Sequence, residues 1–189
     1  VTTGGLRVSA GHPEADVGSQ TARQSESERT APEREAYEVV TSCYALGDVL
    51  AVNQLFGGYE NLSFKVTVQD AGGQRRYFLR KCKPSTTENE IGFEVSLLEH
   101  LAARGFTISA GVVLDASACA FACRPDQSGQ TCFWSLYDYL EGQNKYTWVE
   151  NELTEREYAQ AGALLARFHA AAADFDPGDY QRVQPPILD

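Results

Sequence analysis

The stretch from Leu62 to Lys83 constrains the fold more than any other part of the chain. It begins with LSFKVTVQD, in which Phe64, Val66 and Val68 alternate with polar residues, as in a strand with one buried face. A turn signal, DAGGQ, overlaps the end of this run, and RRYFLRKCK follows it, so the stretch predicts a β-hairpin. The preceding segment YALGDVLAVNQLF is interpreted as a short helix or an extended arm that leads into a first strand. Together these runs predict an antiparallel meander of three strands.

A helix with clear boundaries follows the meander. Thr87 and Glu90 have the spacing of a capping box, and Gly105 is placed to end the last turn. Apolar residues recur between them at helical spacing, at Ile91, Val95, Leu98 and Leu101. The next segment, CAFACRPDQSGQTCFWSLYDYL, predicts a second hairpin. The order of elements predicts the α+β class, with a five-stranded antiparallel sheet and one helix.

The two ends of the chain differ from this central part. Residues 1–36 are polar and charged, and we expect a disordered tail, because such a segment buries too little apolar surface to offset its ordering entropy. Beyond the polar connector EGQNKYTWVENE, Thr154 and Glu157 predict a second capped helix in a different layer or lobe.

Composition narrows the possible functions. A net charge of −10 argues against a nucleic-acid partner, and no apolar run approaches the roughly 20 residues that span a membrane. Five widely spaced cysteines favour reduced thiols in the cytoplasm over a disulfide framework. No grouping of cysteines and histidines has the ligand count of a zinc site, so we expect no metal site.

Glycines and charges around the meander suggest an anion site. Gly57 and Gly58 allow the backbone to approach an oxyanion closely. Alternation along the third strand places Arg80 and Lys81 on opposite faces, and Glu94 on the following helix is a candidate partner for one of them. An ordinary tight turn and solvated charged surfaces are the alternative for these features.

The whole order of elements resembles the aminoglycoside phosphotransferase, choline kinase and type II homoserine kinase-like family, which has a bilobal protein-kinase-like fold. The resemblance covers residues 44–175, through LFGGYENLSFKV, YFLRKCK, FEVSLLEHLAARGF, WSLYDYLEG and AGALLARFHA. It implies that residues 37–141 form the nucleotide-binding N-lobe and hinge. Residues 142–189 would then be the connector and the start of a truncated C-lobe.

The resemblance also implies roles for individual residues. Arg80 takes the place of the strand-three cation, with Lys81 as the alternative if the register is shifted by one, and Glu94 is its partner. The GGYEN turn would cover the phosphates, and the hinge would offer a carbonyl and an amide to adenine. The positions assigned to nucleotide binding are Gly57, Gly58, Asn61, Arg80, Lys81, Glu94, Tyr137, Asp138 and Leu140.

The implied activity is ATP-dependent phosphorylation of a small-molecule hydroxyl. The family's catalytic loop, a His-x-Asp pattern followed by Asn, matches none of His12, His100 and His169. We therefore expect a fragment without catalytic residues, inactive on its own, with Mg²⁺ bound only when the missing C-lobe is present. A non-catalytic nucleotide-binding or protein-interaction module is the alternative, and the phosphate acceptor is left open.

Overall fold

The computed structural model describes residues 21–56, 60–126, 129–142 and 153–180. Within these ranges, the strands are β1 (Asp48–Leu55), β2 (Leu62–Asp70), β3 (Gly73–Lys81), β4 (Val112–Val113), β5 (Ala122–Pro125) and β6 (Thr131–Asp138). The helices are a short 3₁₀ turn (Glu26–Glu28), α1 (Ala31–Cys43), α2 (Glu88–Ala103) and α3 (Glu155–Ala172). The predicted α+β class is confirmed.

All strands belong to one antiparallel sheet with the order β1-β2-β3-β6-β4, and β5 also pairs with β6. The meander β1-β2-β3 and the hairpin β5-β6 form as predicted. The prediction of five strands missed β4, which at two residues is too short to show a period. β6 lies beside β3 because Tyr77–Lys81 pair with Asp138–Trp134, and this pairing joins the two halves of the sheet.

One face of the sheet packs against α1 to form the main core. The wholly buried apolar side chains of β2, β3 and β6 point to this face, and they are Phe64, Val66, Val68, Leu79, Trp134 and Leu136. From α1, Ala36, Val39 and Val40 meet them. Burial of this apolar set is the main source of stability, at roughly 1.5–3 kcal/mol for each large side chain.

The expected disorder of residues 1–36 is wrong for residues 21–36. Here α1 begins at a Thr30–Glu33 capping box, and the buried Glu33 carboxylate also accepts a hydrogen bond from the Gln54 backbone N–H of β1 at 2.9 Å. The backbone N–H of Gln24 donates to Leu50 O at 2.8 Å, which attaches the preceding segment to β1. Residues 1–20 lie outside the described ranges.

The other face of the sheet packs against α2. Its smaller apolar cluster contains Cys82, Ile91 and Val95. Both predicted helix boundaries of α2 are present, since Thr87 and Glu90 form the capping box and Gly105 adopts a φ of +73° just beyond the helix.

The outer side of α2 contacts α3 and the turn that follows it. Phe93 meets Phe175 edge to face, and Phe106 meets Phe168 in the same way. His100 Nε2 lies 3.0 Å from the carbonyl oxygen of Ala171. The Thr154–Glu157 capping box that starts α3 is confirmed. No helix in the described parts of the chain has the length and apolar character needed to cross a membrane.

Candidate functional site

The two neighbouring cations at the end of β3 point to opposite faces of the sheet. Arg80 faces α2, where its Nη2 lies 2.9 Å from Glu94 Oε2. Lys81 faces α1, where its Nζ lies 2.6 Å from Glu35 Oε1. The predicted contact between Arg80 and Glu94 is therefore confirmed. Lys81, the alternative cation, does not share their side of the sheet, because successive side chains of a strand alternate between faces.

A third side chain joins the pair on the α2 face. The hydroxyl of Tyr137, on β6, lies 2.8 Å from Arg80 Nη2 and 2.8 Å from Glu94 Oε1. It accepts from the guanidinium and donates to the carboxylate. Arg80, Glu94 and Tyr137 thus form a closed triangle of hydrogen bonds that ties β3, α2 and β6 together.

Burial and neighbouring groups shift the pKa values of two members of this triangle, Arg80 and Tyr137. Burial disfavours the charged form of Arg80, but Tyr137 and Glu94 outweigh burial and raise the pKa of the guanidinium above its ordinary value. Burial of the phenol raises the pKa of Tyr137 in turn, with Arg80 opposing and Glu94 adding to the shift. Tyr137 is therefore a neutral donor at physiological pH, beside a permanent cation.

Cavities flank the triangle on two sides. The larger, of about 470 Å³, has Arg80, Glu94 and Tyr137 in its wall and extends to the end of β6, where it meets Asp138, Tyr139 and Leu140. Apolar side chains complete its lining, at Leu55, Phe78, Leu98 and Ala110. The smaller, of about 290 Å³, lies between Asn61, Arg80 and the first turns of α2. The charged pair is thus accessible from both cavities.

The end of β6 is held in place by the segment before β4. The Asp138 backbone N–H donates to Gly111 O at 2.9 Å. A Cβ on Gly111 would lie 2.5 Å from Asp138 Oδ2, so a side chain there would force a shift. Two residues further on, Leu140 is 57% exposed at the mouth of the larger cavity. The proposed adenine-binding positions Asp138 and Leu140 therefore lie at the edge of this cavity.

The glycine turn and its asparagine are only partly described. Gly57 and Gly58 lie outside the described residues. The Asn61 side-chain carbonyl accepts a hydrogen bond from the Lys83 backbone N–H at 2.9 Å, which ties the start of β2 to the end of β3. Asn61 also lines the smaller cavity beside Arg80. Asn61 thus joins the ends of two strands and lies beside Arg80, the cation of the predicted nucleotide site.

Two features of the site were missed by sequence reasoning. The apolar wall of the larger cavity comes from four separate parts of the chain. Only two of its residues had a local signal, Leu98 in the apolar stripe of α2 and Phe78 on the same strand face as Arg80. Tyr137 was assigned to nucleotide binding, but the two hydrogen bonds of its hydroxyl depend on the register that sets Tyr137 opposite Phe78. No local pattern reports that register.

Comparison with solved structures identifies the fold. An amicoumacin kinase in complex with AMP-PNP, Ca²⁺ and Ami superposes with a TM-score of 0.65 at 22% identity, over 80% of this chain and 44% of that one. A microcompartment-associated aminopropanol kinase gives a TM-score of 0.60 at 16% identity, over 79% of this chain and 44% of that one. The fold is that of the protein-kinase-like small-molecule kinases.

Sequence comparison then gives the family. Residues 51–188 match the phosphotransferase enzyme family. A homoserine kinase from Methylocella silvestris is 31% identical over 134 residues, which are 70% of this chain and 36% of that protein. The chain belongs to the phosphotransferase enzyme family. It spans little more than a third of the length of this curated relative.

Proposed function

We propose that this chain is the nucleotide-binding part of an ATP-dependent kinase that transfers a phosphoryl group to a hydroxyl of a small molecule. In this proposal residues 37–141 form the binding lobe and hinge, and residues 142–189 begin a second lobe. The observation that carries the proposal is the Arg80–Glu94 ion pair in the wall of a 470 Å³ cavity that reaches the hinge. Family membership supports the same reaction class.

The cavity suits a nucleotide in both its apolar and its charged parts. A flat base fits between apolar walls, such as those provided by Leu55 and Phe78. The backbone of Asp138 and Leu140 would then hydrogen-bond the edge of the base. Arg80 would bind phosphate oxygens, for which a guanidinium is well suited, while Glu94 holds it in place. The AMP-PNP in the amicoumacin kinase structure supports this assignment.

A divalent cation accompanies ATP in this reaction class, where it neutralises charge on the phosphates. In the described parts of this chain, no three or more His, Cys, Asp or Glu side chains are grouped so that they could hold a metal ion. The described residues therefore do not fit a magnesium site.

The five cysteines are free thiols, which supports a reducing compartment, the cytoplasm, as the place of action.

The test is a titration of the ¹⁵N-labelled chain with ATP, followed by NMR. We expect shifts at Asn61, Arg80 and residues 138–140. Arg80→Gln should weaken ATP binding about 10- to 100-fold, because it removes charge-assisted hydrogen bonds to phosphate. The matched control is Arg75→Gln, on the same strand but at the hairpin end, where Arg75 is 62% exposed and paired with Asp70. It should leave the affinity unchanged.

Three outcomes would contradict the proposal. The first is the absence of shifts at high millimolar ATP in a sample shown to be folded. The second is a set of shifts located away from the cavity, and the third is an equal loss of affinity in the Arg80 and Arg75 variants. Each of them would favour a non-catalytic interaction module.

A further inference from the structure

The Tyr137 hydroxyl has a position that packing alone does not require. The ring of Tyr137 already packs beside Phe78, with centroids 6.2 Å apart, and a phenylalanine would fill the same space. Yet its hydroxyl lies at 2.8 Å from both charged partners, Arg80 and Glu94. A phenol can donate one hydrogen bond and accept others, so a single oxygen serves the cation and the carboxylate together.

The triangle restricts Arg80 more than the ion pair does by itself. Arg80 Nη2 is shared between Glu94 Oε2 and the Tyr137 hydroxyl. Glu94 in turn is held through both carboxylate oxygens, by Arg80 on one and Tyr137 on the other. A side chain fixed in one rotamer before binding loses less conformational entropy when a ligand arrives. The guanidinium is thus pre-oriented in the cavity wall.

We infer that the Tyr137 hydroxyl is a positioning group, which fixes the Arg80 guanidinium on Glu94 and thereby strengthens the binding of nucleotide phosphates without touching them. This inference rests on the proposed function, because Arg80 is the proposed phosphate ligand. It goes beyond that function by assigning a role to a hydroxyl on β6 that acts through a residue on β3.

The first experiment needs no nucleotide. Arg80 Nε is buried, so its proton exchanges slowly enough for ¹⁵N relaxation measurements. We expect an order parameter of about 0.85 for this N–H in the wild type and below about 0.6 in Tyr137→Phe. The control is Tyr77→Phe, which removes a hydroxyl from a buried tyrosine of the main core on the α1 face and should leave Arg80 rigid. An Arg80 as rigid in Tyr137→Phe as in the wild type would overturn the inference.

The second experiment separates positioning from packing by comparing ATP with adenosine. Tyr137→Phe should weaken ATP binding about tenfold, the effect of losing one charge-assisted hydrogen bond, and leave adenosine affinity unchanged. In an Arg80→Gln background, Tyr137→Phe should have no further effect on ATP affinity, because Tyr137 acts through Arg80. The inference would be refuted by an equal loss of affinity for ATP and adenosine, by a further loss of ATP affinity in the Arg80→Gln background, or by tighter ATP binding.

The two experiments also separate this inference from the proposed function. If the wild type binds no ATP while Arg80 becomes mobile in Tyr137→Phe, the proposed function fails and the positioning of Arg80 in the free protein stands. If the wild type binds ATP and Tyr137→Phe behaves like Tyr77→Phe, the nucleotide site stands and the positioning role is wrong.

Discussion

On the α1 side of the sheet, Lys81 pairs with Glu35 above the ring of the wholly buried Trp134, at 5.3 Å from its centroid. On the α2 side, Arg80 pairs with Glu94 in the wall of a cavity, and Glu94 is 39% exposed. The two pairs join adjacent strand residues to helix carboxylates, and they differ in what surrounds them. The two pairs are exposed to a similar degree, so the difference lies in what the cation meets. Lys81 lies against the ring of Trp134, whereas Arg80 lies beside the Tyr137 hydroxyl in the wall of the apolar-lined cavity.

The largest expected difference between the two faces comes from the neighbours Leu79 and Phe78. Leu79 is wholly buried on the α1 face, whereas Phe78 is half-buried in the cavity wall on the α2 face. Leu79→Ala should lower the free energy of unfolding by about 2–5 kcal/mol, since it opens a cavity in a close-packed core. Phe78→Ala should lower the free energy of unfolding by about 1–2 kcal/mol, because part of the Phe78 ring is already exposed in the cavity.

Urea denaturation of both variants measures this difference, and the nucleotide titration supplies the second comparison. Phe78→Ala should weaken ATP binding, while Leu79→Ala at a temperature where it is folded should not. A larger loss of stability in Phe78→Ala than in Leu79→Ala would show that the α2 face is the main core.

The next largest expected effect is the loss of folding stability when Glu33 is replaced, and this loss depends on pH. Burial raises the pKa of this carboxyl, but hydrogen bonds from the Thr30 and Gln54 backbone N–H groups and the Thr30 hydroxyl outweigh it and lower the pKa below its ordinary value of 4.5. The carboxylate therefore stabilises the fold fully above pH 4.5, and this contribution is lost as the pH falls through the folded-state pKa.

Glu33→Gln should thus cost about 1–3 kcal/mol at pH 7, through lost hydrogen bonds to a buried group. The difference from the wild type should shrink when both are denatured at progressively lower pH below 4.5. Glu38→Gln, on the exposed side of the same helix, is the control and should be neutral. A Glu33→Gln difference that is constant from pH 7 to pH 3 would contradict the role assigned to the ionised carboxylate.

The smallest expected effect belongs to Lys81. Its side chain is 16% exposed and that of Glu35 36% exposed, so Lys81→Gln should cost about 1 kcal/mol in a thermal or chemical melt. ATP affinity should not change, because the side chain points away from the cavity. If Lys81→Gln weakened ATP binding as much as Arg80→Gln does, the division of roles between the two faces would be wrong.

Local patterns were enough to predict much of this arrangement. The alternation at Phe64, Val66 and Val68 predicts the meander, and the Thr87–Glu90 capping box predicts the start of α2. The period of a strand by itself places Arg80 and Lys81 on opposite faces. These features depend on neighbours in sequence, so the sequence reports them directly.

The α1 helix was missed although its own signals were present. Thr30 and Glu33 have capping-box spacing, and Ala36, Val39 and Val40 recur at helical spacing. The polar composition of residues 1–36 outweighs these signals when the segment is taken as a whole, and it predicts disorder. The partners of Lys81 and Tyr137 had no local signal at all, since Glu35 and Arg80 meet them only through tertiary packing.

The strand order has a consequence for how the chain folds. β3 pairs with β2, its neighbour in sequence, and also with β6, which is synthesised later; Arg80 is separated from Tyr137 by 57 residues. At the usual rate of roughly 5–20 residues per second, a ribosome needs about three to eleven seconds to make that interval. During this time one edge of β3 has no strand to pair with, a state that exposes a chain to aggregation. The Arg80–Tyr137 contact therefore forms only once the sheet is complete, and nascent chains stopped before Tyr137 would contain Arg80 and Glu94 without the hydroxyl that joins them.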